Sequence, residues 1–167
     1  MDFQAVPNMN PTVVGIWHVL EFGKLGTANA IKDLTDEQLF AVPAGFRNSI
    51  ATIIIHVAAT EVGLAHTLAG QELPADLRSA YYMGRTDDGL LIEPKGETKE
   101  SLLAKFDQAR ALLKEALLKL TDADLDRTLT RANGTQVPMR QLLGLYAAHP
   151  ALHLGHIQYV KQALAKG

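Results

Sequence analysis

Three histidines fall close together in the stretch YAAHPALHLGHIQ, residues 146–158. His149, His153 and His156 are spaced i, i+4 and i+7, so on a helix all three project from one face. Half of the chain's six histidines are in this one stretch. Two imidazoles one turn apart can reach a single metal ion, as in helical motifs where a histidine pair holds zinc. The third lies two turns from the first, roughly 10 Å along the axis at the α-helical rise. One ion cannot span that row, so a metal site here takes its remaining ligand from another helix. The competing reading is a pair of half-buried histidines hydrogen-bonded in a core or at a subunit contact.

His56 is the candidate for that remaining ligand. Alone on an apolar helix, a histidine is more often a satisfied core residue. Its position mid-helix gives it a depth from which it can face the His149/His153 pair across a bundle core, where such sites are built. His156, one turn from His153, is the candidate acid/base group, second-shell donor or extra ligand. Glu61, five residues beyond His56, falls off the His56 face and is a poor base. His18 and His66 have no partner at ligand spacing and read as structural or surface residues. With no cysteine in the chain, disulfides, thiolate ligands and cysteine nucleophiles are excluded, and any sulfur nucleophile must come from outside.

The elements that position these residues read as helices. Asn10-Pro11 is an N-cap followed by proline at the first helical position, opening a helix to about Leu34. Thr35 to Gln38 has a capping-box sequence and opens one short turn before Pro43 and Gly45. Asn48-Ser49 caps a second long helix, with Gly70 as its stop. Residues 71–97 form a long connection containing Pro74, Gly84, Gly89, Pro94 and Gly96. A connection of that length lets the helices on either side run parallel. Tyr81, Tyr82 and the Asp87-Asp88 pair are its candidate substrate contacts.

A third helix starts at Thr98, with only a simple cap expected because Ser101, not Glu, stands three residues on. Its stripe runs from Leu102 to Leu120. Thr121 to Asp124 echoes residues 35–38 and suggests a weak internal repeat. Asn133-Gly134 marks a turn. Pro138 introduces a fourth helix from about Met139 to Leu164, and Pro150 inside it removes a hydrogen bond to Tyr146. Either that proline kinks one helix at the histidine face, or it ends one helix and starts another. The expected fold is all-α: a single-domain four-helix bundle over residues 1–167, with the long crossover between its second and third long helices and little else.

Length and composition fit one globular domain with a sizeable core. The net charge of −2 and the absence of a basic stripe argue against nucleic acid as a partner. No signal peptide is evident, and the longest apolar run, IATIIIHVAA, is broken by Thr52 and His56. No membrane partner and a cytoplasmic location are therefore expected.

The chain resembles the DinB-like (DinB/YfiT) metalloenzymes over nearly its whole length. The resemblance rests on Leu34-Thr35-Asp36-Glu37-Gln38, on Asn48-Ser49-Ile50, on His56 followed by Val57-Ala58-Ala59-Thr60-Glu61, on the long crossover, and on His149-x-x-x-His153-x-Gly155. It implies a four-helix bundle with the second and third long helices parallel, often dimeric, and a divalent nickel or zinc ion held by His56, His149 and His153. It also implies a metal-dependent transferase, an isomerase using a low-molecular-weight thiol, or a hydrolase, acting on a small molecule. The chain departs from the family pattern at His156, where glutamine is common, and at Pro150. A second reading from another class is a non-catalytic helical dimer serving as a stress-associated or small-molecule binding module. An open polar pocket over the histidines favours the enzyme, and an apolar plug the binding module.

Overall fold

The computed structural model describes residues 6–130 and 134–166. Four long helices form a bundle: α1 (Pro11–Ile31), α3 (Ile50–Ala69), α5 (Lys99–Leu118) and α7 (Met139–Leu164). Between them lie three short helices, α2 (Asp36–Phe40), α4 (Ala75–Ala80) and α6 (Asp122–Leu125), and two strands, β1 (Thr128–Thr130) and β2 (Gln136–Pro138). The expectation of four helices and little else thus misses α4, inside the crossover, and the β1/β2 hairpin. The hairpin is antiparallel with Leu129 opposite Val137. Its turn includes Gly134 at φ +80°, whereas Asn133 of the predicted turn lies outside the described residues.

The caps explain where the helices start. Asn10 Oδ1 accepts from the Thr12 amide at 2.9 Å, with Pro11 at the first helical position. Ser49 accepts from the Thr52 amide at the head of α3, and Gly70 closes that helix in the left-handed conformation. Ser49, not Asn48, is the cap, which leaves the Asn48 side chain for other work. Thr98 forms a full capping box rather than a simple cap, because the Ser101 hydroxyl reaches back to the Thr98 amide at 2.8 Å. A serine oxygen serves there as a glutamate carboxylate would. The same device opens α2 and α6, at Thr35/Gln38 and Thr121/Asp124.

α3 and α5 run parallel. Their N-terminal halves meet in one core cluster, where Ile50, Ile54 and Ala58 pack with Leu102, Phe106 and Ala109. Their C-terminal halves meet in a second, where Leu64 and Leu68 join Leu113 and Leu117. The crossover of residues 71–97 makes this possible, and Lys105 Nζ pins it by donating to the Ala80 carbonyl at 2.7 Å. α1 runs parallel to α7 by the same criterion: Val13 and Trp17 share a cluster with Leu142 and Leu143, and Ile31 shares one with Val160. α3 carries enough length and apolarity to cross a membrane, with a mean hydropathy of 1.4, but its apolar side chains are mostly buried inside the bundle.

Two contacts set how closely α1 and α7 approach. A Cβ on Gly23 would stand 2.5 Å from the Pro150 Cβ and 3.1 Å from the Ala151 backbone nitrogen. Only glycine allows that approach. α7 is one helix that passes through Pro150 rather than ending at it, so the reading of two helices divided by proline is set aside. Between the two core clusters lies a charged layer. Arg110 Nε and Nη2 donate to both Glu61 oxygens at 2.8 and 2.5 Å, and Nη1 donates to Glu21 Oε1 at 2.8 Å. The Arg110 and Glu61 side chains are 3% and 2% exposed, so the bidentate geometry offsets the cost of burying both charges.

Candidate metal centre

His56 on α3 and His149 and His153 on α7 converge. One ring nitrogen from each falls within 4.8 Å of the other two. His149 and His153 present their Nε2 atoms to each other at 3.1 Å. The His56 ring centroid lies 5.1 Å from each of the other two. The arrangement follows from antiparallel packing of α3 on α7: the His149/His153 pair occupies one face of α7, and His56 meets it from α3.

Thr60 fixes the tautomer of His149. Its hydroxyl donates to the Val57 carbonyl at 2.8 Å, so Oγ1 can only accept from His149 Nδ1 at 3.3 Å. Nδ1 of neutral His149 therefore carries the proton and Nε2 keeps its lone pair, facing His153 and His56. That is how an outer hydrogen bond orients a metal-binding imidazole. His153 has the corresponding partner in His156, with the two Nδ1 atoms 3.3 Å apart. A His153 that offers its Nε2 lone pair donates from Nδ1 to His156. The third member of the sequence row is thus a neighbour of the trio and not part of it.

Electrostatics keep the trio neutral. His56 is pushed down to about 4, first by burial and then by His149 and Arg85. Burial also lowers His149. His153 falls to about 3 through burial and its three histidine neighbours. Three neutral imidazoles whose ring nitrogens come together in this way form a donor set able to hold a divalent ion. The residues present fit a divalent ion.

His56 borders two clefts. The larger, about 790 Å³, is lined by His56, His153 and His156 together with Phe46, Arg47, Asn48, Arg85 and Tyr159. The smaller, about 340 Å³, runs beneath the crossover past Thr60, Tyr82 and Arg85. The crossover reaches the site differently from the sequence expectation. Tyr81 is 4% exposed, its hydroxyl bonded to the Lys105 carbonyl at 3.2 Å, so it is a core residue. Asp87 and Asp88 line neither cleft, and Asp88 accepts from Thr86 Oγ1 at 2.6 Å. Tyr82 alone of the four borders a cleft. Arg85 and Arg47 carry no sequence signal, and Asn48 and Thr60 stand out in the sequence only as a helix cap and a family-motif residue, neither of which gives them a role at the site. For Thr60 a signal exists, since it stands at i+4 from His56 on α3.

The remaining histidines and Glu61 play other parts. His66 Nδ1 contacts its own helix at the Val62 carbonyl, 3.0 Å away. Glu61 is buried against Arg110 and lines neither cleft, so it is not placed to act as a base.

Residues 26–157 match the DinB superfamily. The chain belongs to the DinB superfamily. A conserved protein from Enterococcus faecalis has the same fold, with a TM-score of 0.72 at 16% identity over 93% of this chain and 98% of that one. YfiT from Bacillus subtilis, described as a probable metal-dependent hydrolase with an unusual four-helix-bundle topology, matches with a TM-score of 0.64 at 20% identity. That match covers 95% of this chain and 91% of YfiT. A mycothiol-dependent maleylpyruvate isomerase matches with a TM-score of 0.61 at 14% identity, over 93% of this chain but only 62% of the isomerase. No curated protein matches the sequence significantly. At these identities the likeness of this DinB-superfamily chain to the solved structures is one of fold.

Proposed function

We propose that this protein is a metal-dependent enzyme that transforms a small molecule, with His56, His149 and His153 holding a divalent nickel or zinc ion. The observation that carries the reading is the convergence of three neutral imidazoles, two of which, His56 and His153, line an open cleft. The descriptions of YfiT as a metal-dependent hydrolase and of the isomerase as mycothiol-dependent support a reaction of the hydrolase, transferase or thiol-dependent isomerase type. A low-molecular-weight thiol as cosubstrate is consistent with a chain that has no cysteine of its own.

When bound, the ion supplies Lewis acidity and lowers the pKa of a water or thiol placed on it. The protein's own groups do the rest. Thr60 holds His149 in the tautomer with Nε2 free. His156, exposed on the cleft wall and 3.3 Å from His153, takes or returns a proton at its Nε2 while its Nδ1 accepts from His153. The larger cleft is open and carries Arg47, Asn48, Arg85 and His156 in its lining, where a non-catalytic binding module would carry an apolar plug, which favours the enzyme over that alternative.

We further propose a cytoplasmic homodimer without nucleic-acid or membrane partners. Leu145, Leu152 and Tyr159 recur at seven-residue intervals on α7 and are 53%, 60% and 67% exposed, an apolar stripe suited to a second copy. Elemental analysis of the purified protein tests the metal reading. About one equivalent is expected in the wild type and well under half in His153→Ala and His56→Ala. Full metal retained in both variants would rule out the proposed site.

A further inference from the structure

Two guanidiniums overlook the histidine trio from outside the bundle. Arg85 sits at a bridge to Leu91, at the base of a small hairpin in the crossover, and its Nη1 donates to the Gly89 carbonyl at 2.8 Å. The hairpin is closed by Thr86, whose amide donates to the Leu90 carbonyl at 2.9 Å and whose hydroxyl accepts from the Leu90 amide at 3.1 Å. It is therefore a built element that holds Arg85 in place. Arg85 lines both clefts flanking His56. Arg47, on the segment leading into α3, lines the larger one and donates to the Asp88 carbonyl at 3.4 Å.

Neither guanidinium has a carboxylate at ion-pair distance among the described residues. The chain has 18 acidic residues, yet among the described residues none lines either cleft. An overall acidic protein thus keeps a cleft whose only ionic side chains are cationic, a distribution that attracts and concentrates anions. In the same cleft, Asn48 Oδ1 is buried with no hydrogen-bond partner. A buried acceptor left open is costly unless a ligand or water supplies the donor.

We propose that Arg85 and Arg47 bind a carboxylate of the molecule that enters this cleft, so that its ligand is a small organic acid, with Asn48 accepting a hydrogen bond from the same molecule. Planar guanidiniums match carboxylates with paired, charge-assisted hydrogen bonds. The inference rests on the reading of this cleft as the ligand site beside the histidines. The carboxylate belongs either to a free acid or to a thiol cosubstrate that carries one.

Calorimetric titrations separate these cases. Succinate, its neutral diamide, glutathione and cysteamine are titrated into metal-free and zinc-loaded wild type, Arg85→Gln and Arg47→Gln, with zinc content measured on every loaded sample. At least one acid is expected to bind, about tenfold or more weakly in each variant, as loss of a charge-assisted bond implies. The diamide should not bind measurably to either form, nor cysteamine to the metal-free protein, where no ion can hold its thiol. Arginine-dependent binding of succinate assigns the carboxylate to a free acid; of glutathione alone, to the thiol cosubstrate. Affinities for both acids within twofold of wild type in the two variants, equal binding of the neutral diamide, or no binding of either acid would overturn the proposal. Arginine-dependent binding by a protein that takes up no zinc upholds the carboxylate grip and removes the metal reading. Zinc uptake without arginine dependence does the reverse.

Discussion

Thr60 decides which nitrogen of His149 is free, and this makes a residue outside the trio a test of it. Thr60→Val keeps the shape of the side chain and removes the hydroxyl that accepts from Nδ1. Zinc affinity is expected to fall by about 10- to 100-fold, the usual consequence of losing such an orienting bond, with the fold intact. Competition against a chromophoric chelator measures it, and an unchanged affinity would show that His149 needs no orienting. At this scale the sequence told part of the story. The i, i+4 pair was legible because helical spacing alone puts His149 and His153 on one face, and the axial distance set His156 apart. From the residues themselves His56 is legible by its depth along its helix, and otherwise through the family resemblance. The arginines were not, because Arg47 and Arg85 sit on irregular backbone where spacing carries no information about direction.

Helix packing places the histidines as much as their spacing does. Gly23 lets α1 seat directly against Pro150, the residue after His149, and the rigid pyrrolidine ring leaves no soft atom to yield. Gly23→Ala is therefore expected to cost about 1–3 kcal/mol, as overpacking does, with the strain falling on the part of α7 that carries the histidines. Urea unfolding at fixed pH measures the cost, and a midpoint equal to wild type would mean that the helices part freely. The four long helices were readable from apolar period and caps, and the length of the crossover was enough to indicate parallel neighbours. α4 and the β1/β2 hairpin were not readable, since elements of three to six residues carry too little periodicity. Ser101 gives little capping-box signal in the sequence because its side chain is short, yet its hydroxyl reaches the Thr98 amide.

Over the whole molecule, the cluster of depressed imidazoles makes metal-free stability depend on pH. Free histidine titrates near 6.5, whereas folded His56 and His153 titrate at about 4 and about 3, and His149 is lowered too. Between about pH 6.5 and 3 the unfolded chain binds more protons than the folded one, so stability falls as the pH is lowered through that window. Thermal melts of metal-free protein should show a lower Tm at pH 5 than at pH 7.5. The difference should shrink in His153→Leu, and an equal or higher Tm at pH 5 would contradict the neutral trio.

The route of the chain also sets when the site comes into being. Thr60 and His149 meet across 89 residues of sequence, and Lys161 reaches the Ala30 carbonyl across 131. Such distant pairings are closed late in folding. During synthesis His56 emerges long before α7 and stands alone, a single imidazole with no chelate partner. On the proposed reading, metal capture waits until the polypeptide has been made through α7 and that helix has docked, and a nascent or truncated chain would not sequester ions it cannot use.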